Sequence, residues 1–141
     1  GHDGNIGPYA YLRPNCRIGN HVKLGSFVEV KNSLMGDYSQ ASHLAYIGDA
    51  EIGQDVNIGC GVVFVNYDGK DKHKATIKDY AFIGSNCNII APVTVEESAY
   101  IASGSTITRD VGAGDLAVGR SRQENKKGWV RRKGLLKTRE E

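Results

Sequence analysis

Long apolar runs are missing from this sequence. None approaches the ~18 residues that a helix needs to cross a bilayer, and the opening Gly1-His2-Asp3 does not begin a secretory signal. A soluble protein without a membrane span is expected. Cysteine is scarce and unpaired: Cys16, Cys60 and Cys87 are odd in number and form no CxxC pair. That excludes a zinc knuckle and a disulfide framework, and points to a reducing, cytoplasmic setting. Aromatic residues make up only 8% of the chain, yet no stretch is low in complexity and short aliphatic residues are spread along its whole length. Disorder is therefore excluded too. At 141 residues the chain is one ordinary domain.

A net charge near zero is also misleading, because the +2 of the whole chain is unevenly placed. From Arg120 onward nine basic residues meet three glutamates, which leaves the tail at +6 and the rest of the chain at −4. Aromatic interleaving in this tail is limited to Trp129 and no nucleic-acid motif accompanies it, so no nucleic-acid partner is expected. A solvated tail, or one touching a phosphorylated ligand, is the better reading.

What is present is a repeat. Ile6, Leu12, Ile18, Leu24 and Val30 recur every six residues, as do Met35, Ala41 and Ile47, then Ile52, Ile58 and Phe64, then Ile77, Ile83, Ile89, Val95, Ile101 and Ile107. With each of these as position i, the next residue is often glycine (Gly7, Gly19, Gly25, Gly36, Gly48, Gly53, Gly59, Gly84), and position i+4 is small, as at Cys16, Val22, Ser39, Cys87 and Val111. A helix repeats near 3.6 and a strand near 2, so six residues with two inward slots fit neither as a long element. They fit a coil of short parallel strands, three repeats to a turn, stacked ~4.8 Å apart. Glycine after i either adopts the dihedrals of a bend or lets neighbouring coils approach closely.

The period slips by one residue between Val30 and Met35 and again between Ile47 and Ile52, and it is interrupted between Phe64 and Ile77. The interruption, residues 65–76, is polar with an Asp-Gly turn signal, and Asn66 to Lys74 should project as a loop. The coil is expected over residues 1–112, its first repeat already under way as in a fragment. Residues 113–141 form a basic tail capping the last coil, and Ser121 to Glu124 is a capping box that starts a short helix.

If the loop counts as one repeat plus an insertion, position i+2 of every third repeat aligns Ser26, His43, Cys60, Ser85 and Ser103 in one column. From His43 to Ser103 this track is roughly 15 Å long, suited to an extended ligand arm. If the loop replaces two repeats, Ser85 and Ser103 turn to another face; periodicity alone leaves both counts open. Arg13 and Lys31 stand after i on successive coils where glycine is usual, and two cations so placed suit a phosphate. Tyr46 and Asn57 border His43.

These residues carry a resemblance. Arg-Pro-Asn at Arg13, F-V-E-V-K ending at Lys31, S-H-L-A-Y-I-G-D-A-E-I-G from Ser42, N-I-G-C-G from Asn57 and N-Y-D-G-K-D-K from Asn66 resemble the acetyltransferase domain of the bacterial bifunctional N-acetylglucosamine-1-phosphate uridyltransferase/glucosamine-1-phosphate acetyltransferases, hexapeptide-repeat acyltransferases. The likeness continues through A-P-V-T-V at Ala91 and T-R-D-V at Thr108 to the basic end; the uridyltransferase domain has no counterpart here. It implies a left-handed parallel β-helix, a homotrimer with active sites between subunits, and acetyl transfer from acetyl-CoA to the amine of glucosamine 1-phosphate, on the route to UDP-N-acetylglucosamine and cell-wall precursors. By motif, His43 corresponds to the general base. Arg13, Lys31, Tyr46, Asn57 and Lys72 correspond to the residues that bind the sugar phosphate, and Cys60, Asn66, Tyr67, Ser85, Ser103 and Arg120 to those that bind acetyl-CoA. No metal is implied.

Two other readings compete. A γ-type carbonic anhydrase shares the β-helix but needs clustered histidines, and His2, His21, His43 and His73 are expected to form no close pair on the coil. A noncatalytic trimerising module needs only the scaffold. Cys60 is a tempting nucleophile, but direct attack by the amine needs no acyl-enzyme.

Overall fold

The computed structural model describes residues 1–139, so residues 140 and 141 of the expected tail lie outside the described residues. Among the described residues the chain forms sixteen short strands and one four-residue helix, Trp129–Arg132. The strand ladders are parallel. They make an eleven-stranded sheet, which wraps two sides of a prism because Lys23–Lys31 and Gln40–Gly48 run through a corner, and a five-stranded sheet on the third side. This is the left-handed parallel β-helix expected.

The inward slots are filled as the period requires. Leu24, Val30, Met35, Ala41, Ile47, Ile52, Ile58, Phe64 and the later i residues are buried, and so are Val22, Val56, Cys87 and Val111 at i+4. Ile6 and Leu12, at 48% and 37% exposure, and the half-buried Ile18 are the exceptions, because the first coil described is covered on one side only. Two buried serines stitch neighbouring coils: Ser33 Oγ accepts from Ala50 N–H at 3.0 Å, and Ser39 Oγ from Val56 N–H at 2.9 Å.

Connections between parallel strands are almost always right-handed when a helix makes the crossover. Here most corners are turned by a single residue in the left-handed region instead. Tyr9, Asn15, His21, Phe27, Tyr38, Asp55 and Tyr80 all have φ between 54° and 66°. The bend therefore falls at i+3, and of the two roles open to the glycines after i, close approach is the one used. Of these glycines only Gly7 has a positive φ. A Cβ at Gly36 would stand 2.6 Å from the carbonyl carbon of Gly53, and one at Gly59 would stand 2.7 Å from Ser85 N, each on the next coil.

Register settles the count of the loop. Lys23 pairs with Gln40 and Gln40 with Asn57, steps of 17; Asn57 pairs with Phe82, a step of 25; Phe82 pairs with Tyr100, a step of 18. The loop is one repeat plus an insertion of seven, the excess of 25 over 18. It spans residues 66–74, since strands Val63–Val65 and Ala75–Ile77 claim its expected ends. Two expectations fail at the C-terminal end. The coil continues past Gly112, with Leu116–Ala117 pairing to Tyr100–Ile101. The Ser121 to Glu124 capping box starts no helix, and Trp129–Arg132 buries none of its residues and so covers nothing of its own chain.

Gly36→Ala should destabilise the fold by roughly 1–3 kcal/mol through overpacking against backbone. Gly4→Ala, whose Cβ would meet only Val22 O at 3.5 Å, stays near wild type. Denaturant titration of the two variants checks this, and equal stabilities would contradict it.

Candidate active site

With the register known, Ser26 pairs directly with His43. The step of 17 puts Cys60 beside His43 and the step of 25 puts Ser85 beside Cys60, while Gly104 N–H donates to Ser85 O next to Ser103. The expected column exists on one corner of the prism. His43, Cys60 and Ser103 are exposed, and Arg120 Nη1 donates to the Ser103 carbonyl at the far end of the track. The thiols of Cys16 and Cys87 are turned to backbone carbonyls, at 3.3 Å from Val30 O and 3.2 Å from Ala102 O, so both are packing residues. Asn57 Oδ1 accepts from Gln40 Nε2 at 3.0 Å on the outer face.

The cations gather at another corner. Leu12 pairs with Val30, and Lys31 with Gly48, which stacks Arg13, Lys31 and Gly48 on successive coils. Arg13 Nη1 lies 3.5 Å from Glu29 Oε2, and Lys31 Nζ lies 3.5 Å from Asp49 Oδ2. Lys72 reaches in from the loop. Its contact with Lys31, and the charge of Arg13, push the Lys72 ammonium below the ordinary lysine range, while Lys31 is raised, with Lys72 and then Asp49 as the neighbours responsible. Three cations here face two carboxylates, an excess that an anion would neutralise.

Gly48 opens the space beside them. A Cβ there would stand 2.6 Å from Tyr46 Cζ and 2.7 Å from Asn66 Nδ2, so the tyrosine ring folds across the glycine and meets Asn66, whose Nδ2 donates to the Tyr46 hydroxyl at 3.3 Å. Asn66, expected to project with the loop, is instead 8% exposed and forms its root. Tyr46 stands along one face, with His43 beyond the bend at Leu44 and the cations at the other end. A groove of about 640 Å³ opens beside the cation corner, bordered by Asn32, Asp49, Lys72, His73 and Lys74. Another of about 380 Å³ runs between Phe27, Glu29, Tyr46 and Val63. His43 lines neither of these two grooves.

Two features escaped the sequence reading. Asp49 is the first: its Oδ1 accepts from Asn32 Nδ2 at 2.8 Å and its Oδ2 from Asn66 Nδ2 at 2.7 Å. Burial works against its charge, but these two hydrogen bonds and Lys31 prevail and hold the carboxyl below its ordinary range. The signal was the one-residue slip between Ile47 and Ile52, in which Asp49 sits. The second is a histidine pair. The expectation that no two histidines lie close fails at His2 and His21, whose ring centroids are 5.6 Å apart because His21 N–H donates to His2 O across one coil. With Asp3 they bring three exposed ligand atoms within 4.8 Å of one another, at a corner away from His43.

The loop is ordered by its own side chains. Asp68 accepts from Lys70 N–H at 2.8 Å, Asp71 N–H at 2.7 Å and faces His73 Nε2 at 2.7 Å, closing a turn across which Tyr67 and Lys72 form a bridge. The Asp71 amide first, then His73 and the Lys70 amide, bring the Asp68 carboxyl down to about 2.

The β-helix thus carries a histidine on a small-residue track at one corner and a cluster of cations at another. A family model for the bacterial transferase hexapeptide, six repeats, matches residues 5–32 and 74–109 of the chain. The chain is similar to the bifunctional protein GlmU of Alkaliphilus metalliredigens, 72% identical over 132 residues, which are 94% of this chain and 29% of that protein. It is likewise similar to GlmU of Clostridioides difficile, 64% identical over 133 residues, again 94% of this chain and 29% of that protein. The chain thus spans about three tenths of the length of these relatives. Among solved structures it is similar to PerB from Caulobacter crescentus in complex with CoA and GDP-perosamine, with a TM-score of 0.73 and 22% identity over 82% of this chain and 54% of that one. The acetyltransferase domain of PglB from Neisseria gonorrhoeae in complex with acetyl coenzyme A gives a TM-score of 0.74 at 20% identity, over 82% of this chain and 54% of that one. At such identities the likeness is one of fold.

Because the folded carboxyl of Asp68 is depressed, it stabilises the loop fully above its ordinary value near 3.8, and this contribution is lost as pH falls through about 2. Acid titration of the Lys70 and Asp71 amide resonances should therefore show a midpoint well below 3.8. A midpoint at the ordinary value, or unchanged resonances in Asp68→Ala, would contradict the assignment.

Proposed function

We propose that this chain transfers the acetyl group of acetyl-CoA to the amine of glucosamine 1-phosphate, as the acetyltransferase portion of a GlmU-like protein. The observation that carries the reading is the pairing of an exposed His43, at one end of the Cys60, Ser85 and Ser103 track, with the surplus of cations at Arg13, Lys31 and Lys72. The high identity to GlmU over nearly the whole chain supports the substrate, and the names of the CoA-bound structural relatives support the donor.

The chemistry follows from these parts. The phosphate is held by Arg13, Lys31 and Lys72, with Tyr46 and Asn57 along the sugar. The pantetheine arm of acetyl-CoA lies along Cys60, Ser85 and Ser103, with Asn66, Tyr67 and Arg120 at the loop and tail. The substrate ammonium loses one proton to solvent. As the nitrogen adds to the thioester carbonyl, His43 takes a second proton; the carbon–sulfur bond then breaks and the imidazolium returns that proton to the departing thiolate. Binding both substrates together supplies much of the rate through orientation. Cys60 stays a bystander lining the track.

The working unit in this reading is a homotrimer, in which a second copy supplies the wall that brings His43 and the cations into one cleft; that His43 lines neither groove beside Tyr46 and the cations supports it. Exposed aromatic pairs, Tyr9 stacked on Phe27 and Phe82 on Tyr100, give this assembly apolar surface to cover. No helix among the described residues is long and apolar enough to cross a membrane. Acetyl-CoA as donor and the absence of a CxxC pair both fit a cytoplasmic enzyme.

With glucosamine 1-phosphate and acetyl-CoA, thiol release should fall by roughly 10²- to 10⁴-fold in His43→Ala and stay near wild type in Cys60→Ala. Lys31→Ala should raise KM for the phosphorylated sugar and matter less with unphosphorylated glucosamine. The active species should sediment as a trimer of the 15.3 kDa chain. Near-normal turnover by His43→Ala, or a fully active monomer, would overturn the reading.

A further inference from the structure

The three irregularities of the coil fall on one corner. The short repeats after Val30 and after Ile47 lie on successive coils, and the loop after Phe64 leaves the next coil at the same place. Asn15, Asn32, Asp49 and Asn66 succeed one another there at steps of 17, so the corner is a column of amides in which one member is a carboxylate. An amide offers each neighbour either a donor or an acceptor. An ionised carboxylate only accepts, and does so on both oxygens. At Asp49 both oxygens are used: Oδ1 takes the Asn32 amide, and Oδ2 takes the Asn66 amide with Lys31 Nζ 3.5 Å away. The Asp49 side chain is only 10% exposed and that of Lys31 17%, so little solvent screens the pair.

The charge has a second consequence. Lys31 and Lys72 lie against each other with Arg13 near, and Glu29 is engaged with Arg13. Without a carboxylate at 49 the two ammonium groups would repel each other with no counter-charge beside Lys31, and one would lose its proton or swing away. Asn66 in turn holds the Tyr46 hydroxyl and accepts the His73 N–H at 2.7 Å, tying this corner to the root of the loop.

We propose that Asp49 is a positioning residue: its carboxylate fixes the Lys31 ammonium and the Asn66 amide together, so that the anion-binding corner and the root of the loop are set by one group. This rests on the acetyltransferase reading for its effect on turnover, but not for its effect on Lys31. In Asp49→Asn, which keeps size and a single acceptor, KM for glucosamine 1-phosphate should rise about tenfold, the effect of losing a hydrogen bond to a charged group, while kcat changes less. In Lys31→Met the same Asp49→Asn change should add much less to KM, since the route through Lys31 is already gone and only that through Asn66 remains.

The independent readout is NMR titration of the Lys31 side chain, whose midpoint should fall in Asp49→Asn. If that variant does not fold, Lys31→Met serves instead, and the Asp49 midpoint should rise. An unmoved midpoint, or additive effects on KM in the double variant, overturns the proposal. Wild-type protein without turnover on glucosamine 1-phosphate overturns the functional reading, and the Lys31 and Asp49 midpoints then decide the role of Asp49 by themselves.

Discussion

Coils that stack at strand spacing leave no room for a side chain in many of the slots behind the inward aliphatic residues, and much of the structure answers to that constraint. Glycine fills the slot at Gly19, Gly25, Gly36, Gly53, Gly59 and Gly84 because backbone from the next coil occupies the place of a Cβ. The corner is then turned two residues later by a residue in the left-handed region, and repetition of that one bend winds the prism. At Arg13 and Lys31 the same slot holds long cationic side chains although the coils stay paired, Leu12 with Val30 and Lys31 with Gly48. Site and scaffold are thus one geometric problem with two solutions along the same column.

The same constraint explains why the chemistry clusters where the period fails. A five-residue repeat cannot present the usual i+3 bend, so Asn32 and Asp49 turn their corners one residue early, with φ of 45° and 51°. Their side chains, directed along the corner, hydrogen bond from coil to coil and support Asn66, from which the loop departs. The loop then carries Lys72 back to Lys31. A regular solenoid has identical corners; two short repeats and one insertion make this corner unlike the others, and make it basic.

Much of this was legible in the residues and part was not. The inward slots were, because aliphatic residues at fixed spacing tolerate few arrangements, and so was the histidine track once the loop counted as one repeat. Periodicity could not choose between the two loop counts. The pairing of Asn57 with Phe82 does, because register is a property of hydrogen bonds between coils rather than of spacing along the chain. Asp49 was hidden for a related reason: its partners Asn32 and Asn66 are each 17 residues away, and nothing local marks an Asx residue at a slip as charged by necessity. Ser121 to Glu124 misled in the opposite way. A capping box stabilises a helix that can continue past it, and the four residues that follow, Asn125 to Gly128, are without an apolar side chain and end in a glycine with φ of 70°. His2 and His21 are 19 positions apart and meet only through the stacking of coils.

The central claim is that the basic corner exists to receive the phosphate of an amino sugar. A crystal structure of the protein with glucosamine 1-phosphate alone tests it most directly. The account predicts phosphate oxygens within hydrogen-bonding distance of the Arg13 guanidinium and the Lys31 ammonium, with the sugar amine directed toward a His43 imidazole. A phosphate bound elsewhere on the surface, or a sugar whose amine faces away from every His43, would contradict it.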